Sequence, residues 1–164
     1  MEYLSENILA PLKEWTVWAQ RENITPDRQS TEEGEKLICK RFGDCGKLLT
    51  TAPVEEGATY EMKFTFSVED MTHPKMSTRF VVDTYADDGK HIQTEYAPKY
   101  EKADGIYTAT GTFVAMKGSA KAEIIAMIMS TDNGSLLVRE ASLRKIAPIP
   151  PRKVTVAAGF LNCY

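Results

Sequence analysis

A chain of 164 residues, 43% hydrophobic and 26% charged, has the size and balance of a single globular domain. At that length folding buries roughly 70% of the surface that the unfolded chain exposes, so neither metal nor disulfide is needed merely to fold. The net charge of −3, with both signs spread along the chain, excludes the basic footprint of a nucleic-acid binder, and the lack of any long apolar run predicts no membrane span.

Met1 to Asn7 has neither the basic nor the apolar region of a signal peptide, which fits a cytoplasmic chain or one whose leader has been removed. Cys39 and Cys45 could pair, but Cys163 would be left over. A disulfide framework would be denser, so free thiols are expected. His73 and His91 stand alone, without zinc-ligand spacing.

Asn7 to Leu12 reads as a short first strand. In Trp15-Thr16-Val17-Trp18, alternation puts Trp15 and Val17 on one face and Thr16 and Trp18 on the other, so both tryptophans do not enter one core. Arg21 to Gly34 is polar, holds Pro26, and reads as a loop. Lys36 to Arg41 and Lys47 to Thr51 read as strands joined through Gly43 to Gly46. Thr59 to Val68 gives the cleanest alternation: Tyr60, Met62, Phe64, Phe66 and Val68 on one side, and Thr59, Glu61, Lys63, Thr65 and Ser67 on the other. That is a strand with one buried and one wet face.

Glu69 to Met76 is expected to be a loop. Ser77 to Tyr85 follows as a strand whose residues Phe80, Val82 and Thr84 alternate with Arg79, Val81, Asp83 and Tyr85. Ala86-Asp87-Asp88-Gly89 is a hairpin signal, because Asp and Gly tolerate positive φ. The chain returns through a strand from His91 to Tyr96. Ala97 to Gly105 reads as a polar connection, and Tyr107 to Met116 as a strand. Ala120 to Ser130 has helical propensity, but its alternation and flanking turns favour a strand. Ser135 to Lys145 completes the set.

Eight or nine short strands, with turns every eight to twelve residues and no convincing helix, predict an all-β antiparallel β-sandwich or barrel. Residues 1–146 would form this module. Ala147 to Pro151 would be a stiff linker, since three prolines in five positions cannot continue a sheet. Arg152 to Phe160 reads as one more strand, either the first of a truncated following domain or a last strand packing back on the sandwich.

No catalytic constellation emerges. Neither histidine accompanies a nucleophile motif. Asp83 and Glu95 could face each other as a carboxylate pair, but such pairs are too common to signal glycoside hydrolysis. The sequons at Asn23 and Asn133 are equally unspecific. The chain is therefore expected not to be an enzyme.

In order and spacing, several segments resemble the jelly-roll carbohydrate-binding modules that accompany polysaccharide-degrading enzymes. The resemblance covers roughly residues 7 to 146. Trp15 and Trp18 follow the first strand. Val54-Glu55-Glu56-Gly57-Ala58-Thr59-Tyr60-Glu61 is similar to the entry to a central strand, and Tyr85-Ala86-Asp87-Asp88-Gly89-Lys90 to a hairpin. Thr112 to Ala122 resembles a segment in which Met116 replaces a usual proline. Val138-Arg139-Glu140-Ala141-Ser142-Leu143 resembles the closing strand.

The resemblance implies a jelly roll, an oligo- or polysaccharide partner, a covalently attached catalytic domain and an extracellular or periplasmic setting. It implies no cofactor beyond a structural calcium held partly by carboxylates near the closing strand. There this chain departs, with Arg139 in place of the first Asp and only Glu140 keeping a carboxylate. A sugar-binding face needs aromatic platforms with hydrogen-bonding groups between them. The candidates are Trp18, Tyr85 and Tyr96 as platforms, with Arg79, Asp83 and Gln93 as polar partners. The alternative to a binding face is an ancillary sandwich packed against a neighbouring domain. A tail similar to the first strand of several α/β hydrolases raises a third reading, in which catalytic residues would lie beyond this chain.

Overall fold

The computed structural model describes residues 2–150, and they fold as two stacked antiparallel sheets. The carboxy-terminal strand expected over Arg152 to Phe160 lies outside the described residues. One sheet has five strands in the order β1 (Thr16–Trp18), β4 (Cys45–Pro53), β10 (Lys121–Met129), β6 (Thr78–Tyr85), β7 (His91–Tyr96). The other has six: β2 (Asp27–Thr31), β3 (Gly34–Ile38), β11 (Ser135–Ile146), β5 (Thr59–Glu69), β9 (Ile106–Val114), β8 (Lys99–Ala103). The only α-helical segment among the described residues is a single turn, Pro74–Ser77. None is long and apolar enough to cross a membrane.

The alternation read from sequence sets which side chains meet between the sheets. β5 sends Tyr60, Met62, Phe64 and Phe66 inward, and β6 sends Phe80, Val82 and Thr84. Phe80 sits at the centre, its ring 4.7 Å from Phe64 and 4.5 Å from Phe66. β10 contributes Ala122, Ile124, Ala126 and Ile128, so its alternate residues Glu123, Ile125, Met127 and Met129 face outward.

Three expectations differ. Asn7 to Leu12 is not a strand. Asn7 instead imitates one, accepting from the Leu143 amide at 3.0 Å and donating to the Ala141 carbonyl at 3.1 Å. Together with Ile8 it covers the edge of β11 beyond its pairing with β3. The other two differences are β2 and β8, in stretches read as loops. Both are five-residue edge strands rich in charge, Asp-Arg-Gln-Ser-Thr and Lys-Tyr-Glu-Lys-Ala, a composition that protects an edge from further pairing and hides it from hydrophobic periodicity.

β11 carries a bulge between Val138 and Glu140, with Arg139 as the extra residue. The bulge reverses the strand's phase, so that Leu136 and Val138 face inward before it and Leu143 after it. Gly34 approaches this bulge with φ of +145°, and a Cβ there would lie 2.0 Å from the Val138 carbonyl oxygen, so only glycine fits.

Cys39 and Cys45 are free thiols, and burial pushes that of Cys39 up to about 12. Between them Asp44 closes the β3–β4 turn. Its carboxylate accepts from the amides of Lys40 at 2.9 Å and Arg41 at 3.1 Å, and from the Arg41 guanidinium at 2.9 Å. Burial pushes its pKa up, but these donors outweigh burial and hold it below the usual carboxylate value. A carboxylate whose pKa is lowered by folding stabilises above its unfolded pKa and loses that contribution as pH falls through the folded one. Stability is therefore expected to decline below about pH 4, and Asp44→Asn should show a shallower decline in acid melts followed by circular dichroism.

Candidate functional site

Five strands placed side by side turn one lattice of side chains outward. Register fixes its rows. Thr16, Leu49, Ile125, Val81 and Tyr96 run across the sheet in one row. Trp18, Lys47, Met127 and Arg79 run beside it on one flank. Thr51, Glu123, Asp83 and Thr94 form the other flank, followed by Pro53, Lys121, Tyr85 and His91. A groove of about 340 Å³ lies over the middle of this lattice, floored by Val81, Ile125, Met127 and Met129 and edged by Lys47, Arg79, Asp83, Thr94 and Tyr96.

The two tryptophans divide as alternation requires. Trp15 is 1% exposed and donates its indole N–H to the Ala10 carbonyl at 2.9 Å. Trp18 is 53% exposed at the sheet's outer edge, with the Lys47 ammonium 4.9 Å from its ring centroid. Tyr96, 56% exposed, stands at the opposite edge. Four strand spacings separate β1 from β7, so the two aromatic platforms lie roughly 19 Å apart across the sheet.

Between them the polar groups are mostly tied to one another. Lys47 pairs with Glu123 at 2.7 Å. Asp83 accepts from the Thr94 hydroxyl and lies 3.5 Å from His91 Nε2. Tyr85 shares the outward face beyond the groove, edge-on to His91 at 5.5 Å. Burial, and after it the carboxylates of Glu123 and Asp83, raise its pKa, so it remains a neutral phenol able to donate or accept.

The structure thus gathers Trp18, Arg79, Asp83, Tyr85 and Tyr96 on one face, but Gln93 does not belong with them. Gln93 pairs with Thr84, whose side chain enters the core, and is itself only 7% exposed. Its amide donates to the Val114 carbonyl at 3.2 Å and accepts from the Met116 amide at 2.6 Å, joining β7 to the end of β9 across the two sheets. The bulge between Thr84 and Tyr85 changes the register with β7, so parity from the hairpin alone does not give Gln93's side. Gln93→Leu should leave the part-buried Val114 carbonyl and Met116 amide without this partner and cost about 1 kcal/mol in urea unfolding, without acting through the groove.

Lys47, Glu123, Ile125 and Met127 escaped sequence reading. The signal for the last three was present, since alternation already sets Ile124, Ala126 and Ile128 against them. What was missing was which of those two sets faces the core.

The ligand set that the resemblance implies for calcium does not fit this chain. Arg139 pairs with Glu33 at 2.7 Å. Nearby, Arg28 gathers four oxygens around its guanidinium: the Glu35 carboxylate at 2.7 Å, the carbonyls of Lys13 at 3.1 Å and Leu12 at 3.3 Å, and the carbonyl of Trp15. Positive charge at this place belongs to the chain itself, where a divalent ion would need those oxygens free. A larger cavity of about 790 Å³ lies on this outer side of the six-stranded sheet. It is edged by Glu33, Lys63, Arg139, Glu140 and Arg144, with Tyr3, Leu9 and Leu12 also on its wall, and its charges are denser than those of the groove on the other sheet.

No family model matches the chain, and no curated protein matches it. Solved structures do. The enzymatically active domain of bacteriophage CBA120 tailspike protein 4 superposes with a TM-score of 0.65 at 12% identity, over 85% of this chain and 21% of that one. This chain thus spans 21% of that structure's length. The amino-terminal cellulose-binding domain of Cellulomonas fimi β-1,4-glucanase C gives 0.58 at 12% identity, over 86% of this chain and 100% of that one. The CBM22-1 xylan-binding domain of Paenibacillus barcinonensis Xyn10C gives 0.52 at 13% identity, over 87% and 92%. At these identities the likeness establishes the fold. The chain has the jelly-roll β-sandwich of carbohydrate-binding modules, as the sequence resemblance implied.

Proposed function

We propose that this chain is a non-catalytic carbohydrate-binding module that grips a glycan laid across the outward face of its five-stranded sheet. The observation that carries the reading is an apolar-floored groove with polar rims and the exposed ring of Tyr96 on its wall, with a second exposed ring, Trp18, farther across the same face beside Lys47. Apolar sugar faces lie against aromatic rings and against Val81 and Ile125, while hydroxyl edges meet Asp83, Thr94, Lys47 and Glu123. The span between the rings suits several linked sugars rather than one. The structural neighbours named as cellulose- and xylan-binding domains support this reading.

The same reading includes a covalently attached catalytic domain. Its support is the Pro-rich stretch from Ala147 and the occurrence of the same sandwich within longer enzyme structures, among them the Clostridium thermocellum xylanase 10B fragment that joins CBM22-1 to GH10 modules.

Affinity electrophoresis against a panel of neutral and acidic plant, host and bacterial polysaccharides tests the proposal. Retardation by at least one polymer is expected. Trp18→Ala and Tyr96→Ala should each weaken it at least about tenfold, as expected when an aromatic anchor is lost. Migration unchanged by every polymer would refute a glycan-binding role.

A further inference from the structure

Of the cations on the outward face, Lys47 is neutralised by Glu123, and Lys121 lies at the far end, over the Tyr85 ring. Arg79 differs. It lines the groove, yet among the described residues it has no carboxylate within ion-pair distance. Its recorded partners are backbone carbonyls alone, and all of them meet one nitrogen: Nη1 donates to Lys75 at 2.7 Å, Met76 at 3.0 Å and Thr78 at 2.9 Å. The helical turn Pro74–Ser77 and the start of β6 thus hold one corner of the guanidinium.

Two consequences follow from that anchoring. A long side chain normally loses rotamer freedom when it binds a ligand, and here much of that loss has already occurred on folding. With Nη1 occupied, the remaining donors are Nε–H and the adjacent Nη2–H. These lie parallel along one edge of the planar group, the arrangement that a carboxylate takes bidentately. The neighbours of Arg79 on the sheet are Met127 and, beyond Val81, Tyr96, so an anion there would sit beside a ring platform.

We infer that the groove selects a glycan carrying sugar carboxylates, with Arg79 receiving a uronate side-on while the ring bearing it, or its neighbour, lies toward Tyr96. This rests on the carbohydrate-binding reading above and narrows its ligand to hexuronate-containing chains.

Isothermal titration of the full chain with glucuronoxylan and with polygalacturonate, each beside its carboxyl-reduced counterpart, isolates the charge because the backbones differ only at the carboxyl carbon. At least one native polymer is expected to bind about tenfold more tightly than its reduced form, with the ratio shrinking in about 1 M NaCl. Arg79→Gln should bring the ratio to about one. Arg79→Lys, which keeps the charge and loses the fork, should leave an intermediate ratio. Equal or tighter binding of the reduced polymers, or binding only to neutral glycans, would overturn the inference and leave the binding face standing. Failure of every polymer, neutral or acidic, would remove both.

Discussion

Arg28→Ala is expected to lower the stability of the module by about 3 kcal/mol, the lower end for breaking a buried ion pair, since the Arg28 side chain keeps 25% of its exposure. The loss has two sources. Glu35, whose side chain is 4% exposed, would keep only the Ser30 hydroxyl at 3.0 Å. The carbonyls of Leu12, Lys13 and Trp15 would lose their common donor. Those carbonyls belong to the turn that leads into β1, so the position of Trp18 depends on a cation on the other sheet. Arg28→Lys should recover little, because a single ammonium cannot reproduce the fork. Neither calcium nor a chelator should move the midpoint of the native chain in thermal melts. Restoration of Arg28→Ala by calcium would show that the oxygens form an ion site after all.

Phe80→Ala should be more damaging still, at about 3–5 kcal/mol. Phe80 is the contact between the sheets where three aromatic residues meet: Phe64 and Phe66 from β5 and, at 6.1 Å, Tyr100 from β8. Removing the ring leaves a cavity that neither sheet can close without breaking register. For a chain of this size the melting temperature should drop on the order of 10 °C. Phe80→Leu should recover most of the loss, because the site asks for volume more than for a ring. A drop of only a degree or two would mean that the sheets are held together elsewhere.

The sandwich was legible where one face of a strand is wet and the other dry. β5 and β6 showed their inward residues through alternation alone, and the opposite faces of Trp15 and Trp18 followed from the same rule applied to four residues, though not which of the two is exposed. Legibility failed where pairing rather than burial makes the strand. β2 and β8 are edge strands in which only Arg28 and Tyr100 are half-buried and every other side chain is exposed, so they carry no apolar period. It failed again at bulges. The irregularity before Tyr85 concealed the inward turn of Gln93, and the one at Arg139 reversed the phase of β11. In the candidate site, Arg79, Asp83 and Tyr85 came from one strand and could be read together. Lys47 and Glu123 come from strands brought alongside only by the order β4-β10-β6, which is a property of topology and leaves no local trace.

Amide chemical-shift mapping of the isotopically labelled chain, titrated with a polysaccharide fragment that retards it in gels, tests the binding face most directly. Perturbations are expected to cluster on β4, β10, β6 and β7, around Lys47, Glu123, Ile125, Asp83 and Tyr96, with a shift of the Trp18 indole and none of the Trp15 indole. Perturbations clustered instead around Lys63, Arg139 and Arg144, on the outer side of the six-stranded sheet, would contradict it.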